Sequence, residues 1–373
     1  MKSSNSFFFL FVLLVMASCA KENTINEVPS ETEKVRPESI KLPNSSDYNI
    51  AIPNVPKYEG VIPDESLEDI NAETRGETVE VDPGSNLLQD IINNADWGDK
   101  IVLKEGLHQM DETLVINRRI KLRGEEGAVL SLGGVLGMYI IDARKTSIED
   151  LEINGTGDAV FGIAIEETNR FEMEDNHLSG FLISVLVEHS WKVEIKDNVI
   201  EGTDGDFVTG GFGITIMNGN KAKVYGNEVS YNSAGMWITD RDGKVKDNIA
   251  HDNAMGILLC KVPAGTFSDV FATGNGGSEN ACTNAKVEDN LAYDNVWGYV
   301  VIDGANNNRL KDNEGYNNSF VDLELAQPTT ELFGEPTPGS WDNKVDAGDL
   351  YYIDCGEDND IENGHLADVD CSI

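Results

Sequence analysis

Positive charge is scarce in this chain of 373 residues: 28 Lys and Arg stand against 66 Asp and Glu, a formal net charge of −38. Nucleic acid and anionic membranes are bound through clustered cations, so neither fits as the main partner. A polyuronate would also be repelled unless Ca²⁺ or a local basic groove intervened. Histidine and cysteine number only five each, with no Cys–His spacing of the zinc kind, and no Gly-rich loop suggests a nucleotide site. One cysteine lies near the start and four lie late in the chain, which suits an oxidising compartment. The apolar run Phe7–Met16 has ten residues. That is too short to cross a bilayer and right for a signal peptide.

What the chain has instead is a repeat. From Ile214 to Gly256 one pattern occurs twice: a short apolar strand, a polar turn, Lys-Val-x-x-Asn, and a second Asn five residues on. The marker asparagines Asn154, Asn176, Asn198, Asn227, Asn248, Asn290 and Asn313 follow one another at 22, 22, 29, 21, 42 and 23 residues. The gap of 42 is two periods of 21, so it holds either an unmarked turn or an insertion. A period near 21 to 23 with strand periodicity means a solenoid. Turns of a parallel β-helix stack about 4.8 Å apart, so like residues form columns. An Asn column at a bend satisfies itself, each side chain serving its own backbone and the Asn above. A second column falls at Asn232, Asn253, Asn295 and Asn318.

These units resemble the parallel β-helix repeat of the pectin-lyase-like superfamily and the looser group of NosD-type periplasmic proteins, over roughly residues 79–319. The resemblance implies an all-β chain: a right-handed parallel β-helix solenoid with an N-terminal capping helix. It also implies polysaccharide as the partner, either bound or cleaved by β-elimination. The paired Asp-Asp and Gly-His-Gly of polygalacturonases and the Asp-Pro-His of mannuronan epimerases are absent. Trp237-Ile238-Thr239-Asp240 resembles the Trp-Ile-Asp-His of pectate lyases, but Thr intervenes and His is missing, so no residue role is carried over.

In chain order, residues 1–19 read as a lipoprotein-type signal. Met16-Ala17-Ser18-Cys19 resembles a bacterial lipobox, which would make Cys19 the lipidated first residue of a monomer in the cell envelope or at the cell surface, anchored in the outer membrane. The alternative is an ordinary secretory signal and a secreted protein. Residues 20–76, rich in Glu, Asn, Ser, Thr and Pro, read as a flexible tether. The solenoid is expected over 77–325. Leu87, Leu88, Ile91 and Ile92 form one face of a short helix that would plug the open core, with Ser85 as its N-cap candidate. First strands are expected at Met138–Ile141, Ile163–Glu166, Val185–Glu188, Ile214–Met217, Met236–Thr239, Ile257–Cys260 and Tyr299–Ile302. Residues 261–284 break the rhythm as a loop stapled at its base by Cys260 and Cys282. Residues 326–373 would form a C-terminal cap held by Cys355 and Cys371. Four cysteines allow three pairings, and Cys282–Cys355 stays open.

The position after each first strand stacks as Asp142, Glu167, His189, Asn218, Asp240, Lys261 and Asp303, with Arg144, Glu166, Glu188, Arg241 and Asp242 nearby. In the fold that the repeat resembles, such a polar column edges a sugar-binding groove. In the lyase version Lys261 is the base, Arg241 the cation that neutralises a carboxylate, and His189 a further acid–base group. Asp240 and Asp242 could hold Ca²⁺ instead. Glu167, Asn218, Trp237 and Asp303 are the expected sugar contacts. Neighbouring carboxylates favour charged Lys261 and weaken it as a base. The alternative is a non-catalytic carbohydrate-binding or structural cell-envelope protein. Its aromatics Trp191, Trp237, Tyr231, Tyr293, Trp297 and Tyr316 would stack on sugars, while His251, Tyr293 and Tyr316 share one column of stacked rings.

Overall fold

The computed structural model describes residues 76–157, 159–205, 210–261, 282–326, 338–367 and 371. Their strands form three parallel sheets of twelve, eleven and nine members. One rung runs from a long strand of the eleven-stranded sheet (Phe161–Glu166) through a short strand of the twelve-stranded sheet (Glu172–Glu174) to a short strand of the nine-stranded sheet (His177–Ser179). It then returns one level up at Ile183–Glu188, whose residues pair in register with those below. These sheets are called here the long, second and third sheets. Inward residues such as Ile163, Ile165, Met173 and Leu178 belong to one apolar core that follows the solenoid axis.

The sharp bend between the second and third sheets is Asp-Asn in most rungs. The Asp takes left-handed φ, 55° at both Asp175 and Asp247, and the buried Asn turns inward. Each ladder Asn donates its Nδ2–H to the Oδ1 of the next, from Asn176 through Asn198, Asn227, Asn248 and Asn290 to Asn313, at 2.9–3.0 Å. Backbone amides point at the same oxygens, as at Asn248 N to Asn290 Oδ1, 3.1 Å. That direct bond resolves the gap of 42: Asn248 and Asn290 lie on adjacent rungs, so the extra residues are an insertion. The second column also forms, Asn232 to Asn253 to Asn295 to Asn318. A third, missed in the sequence, joins Asn308, Asn343 and Asn359 at another bend.

Register corrects several boundaries. Asn154 is not a ladder member: it pairs with Ser179, and the backbone of Leu151 fills the ladder slot below Asn176. Long-sheet strands begin two residues earlier than expected, as at Leu136, Phe161, Ile183 and Phe212. Strands Lys344–Asp346, Tyr351–Asp354, Asp360–Glu362 and His365–Leu366 extend the sheets past residue 325.

The helix Leu88–Asn94 inserts Leu88 and Ile92 into the open end of the core. Ser85 is not its cap residue: Leu87 holds that position, with no side-chain cap bond, and Leu87 itself is exposed. No helix among the described residues is long and apolar enough to cross a membrane. Cys355 and Cys371 form a disulfide with Cα atoms 5.6 Å apart. Cys260 and Cys282 do not pair; both are free, buried thiols. The strand alternation explains why. Cys282 joins the inner core, whereas Cys260 belongs to a separate cluster on the outward side of the long sheet.

That outward cluster is the largest departure from expectation. The register column Tyr139, Ala164, Leu186, Thr215, Trp237, Leu258 and Val300 points away from the core, yet every member is buried. Trp237 is 0% exposed and Trp297 3%. Neither offers a ring to a sugar, and Trp237 is no substrate contact in this state.

Candidate functional site

The turn that leaves the long sheet carries the residues singled out by spacing. Asp142, Glu167, His189, Asn218 and Asp303 all have left-handed φ, between 45° and 51°. Asn and Asp tolerate this conformation because their short polar side chains bond locally. Glu167 is an exposed turn residue.

Asp240 departs from the column. Between the paired residues Ile216/Ile238 and Asn220/Arg241 the turn is one residue shorter on the Asp240 rung. Its side chain therefore folds inward at 0% exposure, and Oδ2 accepts the Ala222 N–H at 2.8 Å. Gly219 and Gly243 make the space, since a Cβ on either would lie 2.5 or 2.6 Å from the carboxylate oxygens. Burial pushes the Asp240 carboxyl up to about 7, against the pull of backbone amides. Lys261 occupies the next rung and Asp303 the one after, by continuation of the strand register. Burial raises the Asp303 carboxyl to about 6, with the Lys261 charge pulling it back down. Arg241 is exposed on the neighbouring column, bridging Asn220 and Thr283. Asp242 accepts the Asn284 amide and so is engaged apart from Asp240.

His189 lies elsewhere. Its Nδ1 is 3.6 Å from Glu188 Oε1, and Asn218 Nδ2 reaches the same oxygen at 3.4 Å. Glu188 stacks directly on Glu166, both buried, and Tyr139 donates its hydroxyl to Glu166. The structure thus makes two polar groups: Tyr139, Glu166, Glu188, His189 and Asn218 over four successive rungs, and Asp240, Lys261 and Asp303 over the next three. The buried Glu166–Glu188 pair was visible in the sequence only as two strand-ending glutamates 22 residues apart.

The aromatic candidates also divide. Trp191 is 50% exposed and Tyr231 and Tyr316 are each 47% exposed. His251, Tyr293 and Tyr316 stack face to face at 5.0 Å with interplanar angles of 8° and 10°. This column is internal stacking, which leaves mainly ring edges for a ligand. Cys19 lies outside the described residues.

The fold and these columns define a class: the chain is a right-handed parallel β-helix repeat protein. Residues 149–325 match the family described as periplasmic copper-binding protein (NosD). No curated protein sequence matches the chain. Among solved structures it is similar to the alginate lyase of Paenibacillus sp. str. FPU-7, at 15% identity and TM-score 0.51, over 78% of this chain and 99% of that one. It is also similar to the tailspike protein of E. coli bacteriophage HK620 in complex with a pentasaccharide, at 9% identity and TM-score 0.50, over 78% of this chain and 60% of that one. Identities this low establish the fold alone.

The copper in the family's description does not fit the described residues. No group of three or more His, Cys, Asp or Glu side chains among them could hold a metal ion. The His251 ring nitrogens face Asp252 and Glu228, and the two free thiols sit in separate clusters.

Proposed function

We propose that this protein is an extracytoplasmic β-helix that binds polysaccharide without cleaving it. The observation that carries the reading is the dispersal of the lyase groups. His189 sits against Glu188, three rungs below Lys261, which is roughly 14 Å at the strand spacing. β-Elimination needs a base and a cation converging on one sugar ring, and Arg241 stands exposed on a different column from Lys261. Lys261 instead stands one rung from the buried Asp303 carboxyl, whose charged form it favours. Polysaccharide as partner rests on the scaffold, which the alginate lyase and the pentasaccharide-bound tailspike share. The location rests on the leader, Phe7–Met16 followed by Ala17, Ser18 and Cys19, and on the periplasmic description of the matching family.

Affinity electrophoresis against alginate, polygalacturonate and neutral glucans, with and without Ca²⁺, tests the reading. Retardation by at least one polymer is expected, with no ultraviolet absorbance from a new C4–C5 double bond. Rising absorbance would make the protein a lyase; no retardation by any polymer would remove the polysaccharide. Lipid attachment is tested by Cys19→Ala, which should shift the protein from the membrane to the soluble fraction. Unchanged fractionation would refute it.

A further inference from the structure

Most of the surface is acidic, yet the scarce cations are not scattered. On the outward face of the second sheet, Lys223, Lys244, Lys286, Arg309 and Lys344 occupy one register column on five consecutive rungs, all exposed. Below it, the turn entering that sheet stacks Arg170, Lys192 and Lys221, also exposed. The two columns meet at the rung holding Lys221 and Lys223. Together they make a continuous line over seven rungs, on the order of 30 Å at the strand spacing. We infer that this basic track is the binding site for an acidic polysaccharide lying along the solenoid axis. The inference deepens the polysaccharide-binding reading and rests on it.

Three observations carry it. First, the cations other than Lys223 are uncompensated. Arg170, Lys192, Lys221, Lys244, Arg309 and Lys344 make no ion pair among the described residues, and neither does Lys286. Beside the lower rungs the carboxylates are occupied, Glu172 and Glu174 by Lys196 at 2.9 and 2.8 Å, Glu194 by Lys223 at 2.9 Å and by the Tyr225 hydroxyl. Asp360 follows Lys344 in the register column and marks the upper end of the track. In a chain at −38, leaving stacked like charges unpaired works against stability.

Second, the turn column runs against local preference. Arg170, Lys192 and Lys221 have φ of 62°, 54° and 62°. At that slot the later rungs place Asp242, Asn284, Asn307 and Asp342, which suit left-handed backbone better. Cations hold the costlier positions on the lower rungs, Lys145 among them at φ 54° one rung below Arg170.

Third, the surface has a sugar-sized shape. A groove of about 410 Å³ is lined by Arg170, Phe171, Glu172, Lys192, Lys221 and Lys223 among others. Trp191, half exposed, directly precedes Lys192 in the chain and is an aromatic of the kind that stacks on a pyranose. Successive cations stand one rung apart, about 4.8 Å, close to the length of one sugar ring. A uronate chain would therefore present carboxylates in step with them. This is the local basic groove without which the overall charge would repel such a polymer.

The test uses the full chain and alginate or polygalacturonate as probe, with dextran as neutral reference. Two variants lose the same net charge: K244Q/K286Q/R309Q removes the track, and L107E/V199E/L366E adds three acids at exposed positions away from it. Unfolding midpoints of both establish that they fold. The track variant should bind the acidic polymer more than about tenfold more weakly, with a shallower salt dependence, while the charge-matched variant loses less than about threefold. Equal losses in the two would reduce the track to net charge and overturn the inference while leaving polysaccharide binding intact. Wild-type affinity for dextran equal to that for the uronate would do the same. Duplex DNA bound as tightly as the uronate at equal salt would overturn the ligand class. Binding to no glycan at all would sink the functional reading with it.

Discussion

The outward faces of the long and second sheets are built from the same alternation and end differently. The long sheet turns Leu186, Trp237, Leu258 and Val300 outward, and all are buried. The second sheet turns Lys223, Lys244, Lys286 and Arg309 outward, and all are exposed. Strands buried on both sides read as near-continuous apolar runs, and strands wet on one side alternate. FGIAIE, ISVLVE and FGITIM are of the first kind, while KVY, KVK and KVE are of the second. The contrast teaches that in this solenoid the sheet with the longest strands is closed on both faces, and the second sheet is the one whose outward face water reaches.

Substitutions can break or sharpen that contrast. The largest effect should come from Trp237→Ala, which removes a fully buried ring from the outward face of the long sheet and should cost about 3–5 kcal/mol in denaturant unfolding. A loss below about 1 kcal/mol would mean that this face is open to solvent. Next is Asp240. Its folded-state pKa of about 7 lies above the unfolded value of about 3.9, so the native state holds the proton more tightly. Its contribution is fully present below about pH 4 and is lost as pH rises through 7, a swing on the order of 4 kcal/mol. Asp240→Asn should flatten that part of the stability–pH curve, and a slope identical to wild type would contradict the buried placement. Asn248→Ala leaves the Asn227 backbone and side-chain amides and the Val224 carbonyl short of partners. It should lower stability by about 1–3 kcal/mol. The smallest effect belongs to the other face: Lys244→Ala should change stability by less than about 0.5 kcal/mol. A larger cost there would give the cation column a structural role and erase the contrast.

The architecture was legible because two-residue bends and Asn columns leave local marks every rung. Asn154 misled for the same reason: it lies at the right spacing but three residues past the bend, where only register distinguishes it. The Cys260–Cys282 staple failed because proximity along the chain says nothing about which side of a sheet each thiol faces. Trp237 looked like a sugar platform although the unbroken apolar strand around it, AGMWI, signalled burial on both sides. Asp240 slipped inward because one turn lacks a residue, and a single deletion is invisible without its neighbours in space. The Lys-Val repeat was seen as a strand signature, yet its charge consequence appears only when rungs are stacked.

The asparagine ladder has an electrical consequence. Backbone hydrogen bonds of successive residues in a parallel sheet run alternately up and down the stack, so their dipoles nearly cancel. The side-chain amides do not alternate. In all three columns each Nδ2–H points toward the C-terminal neighbour, as from Asn176 to Asn198, Asn232 to Asn253 and Asn308 to Asn343. Flipping any amide would set its nitrogen against a backbone N–H that now finds an oxygen, as Asn227 N finds Asn248 Oδ1 at 3.0 Å. The orientation is therefore locked, and aligned amides polarise one another. The stack is a polar rod with its positive end toward the C-terminus, and its sense of direction comes from a residue type that carries no charge.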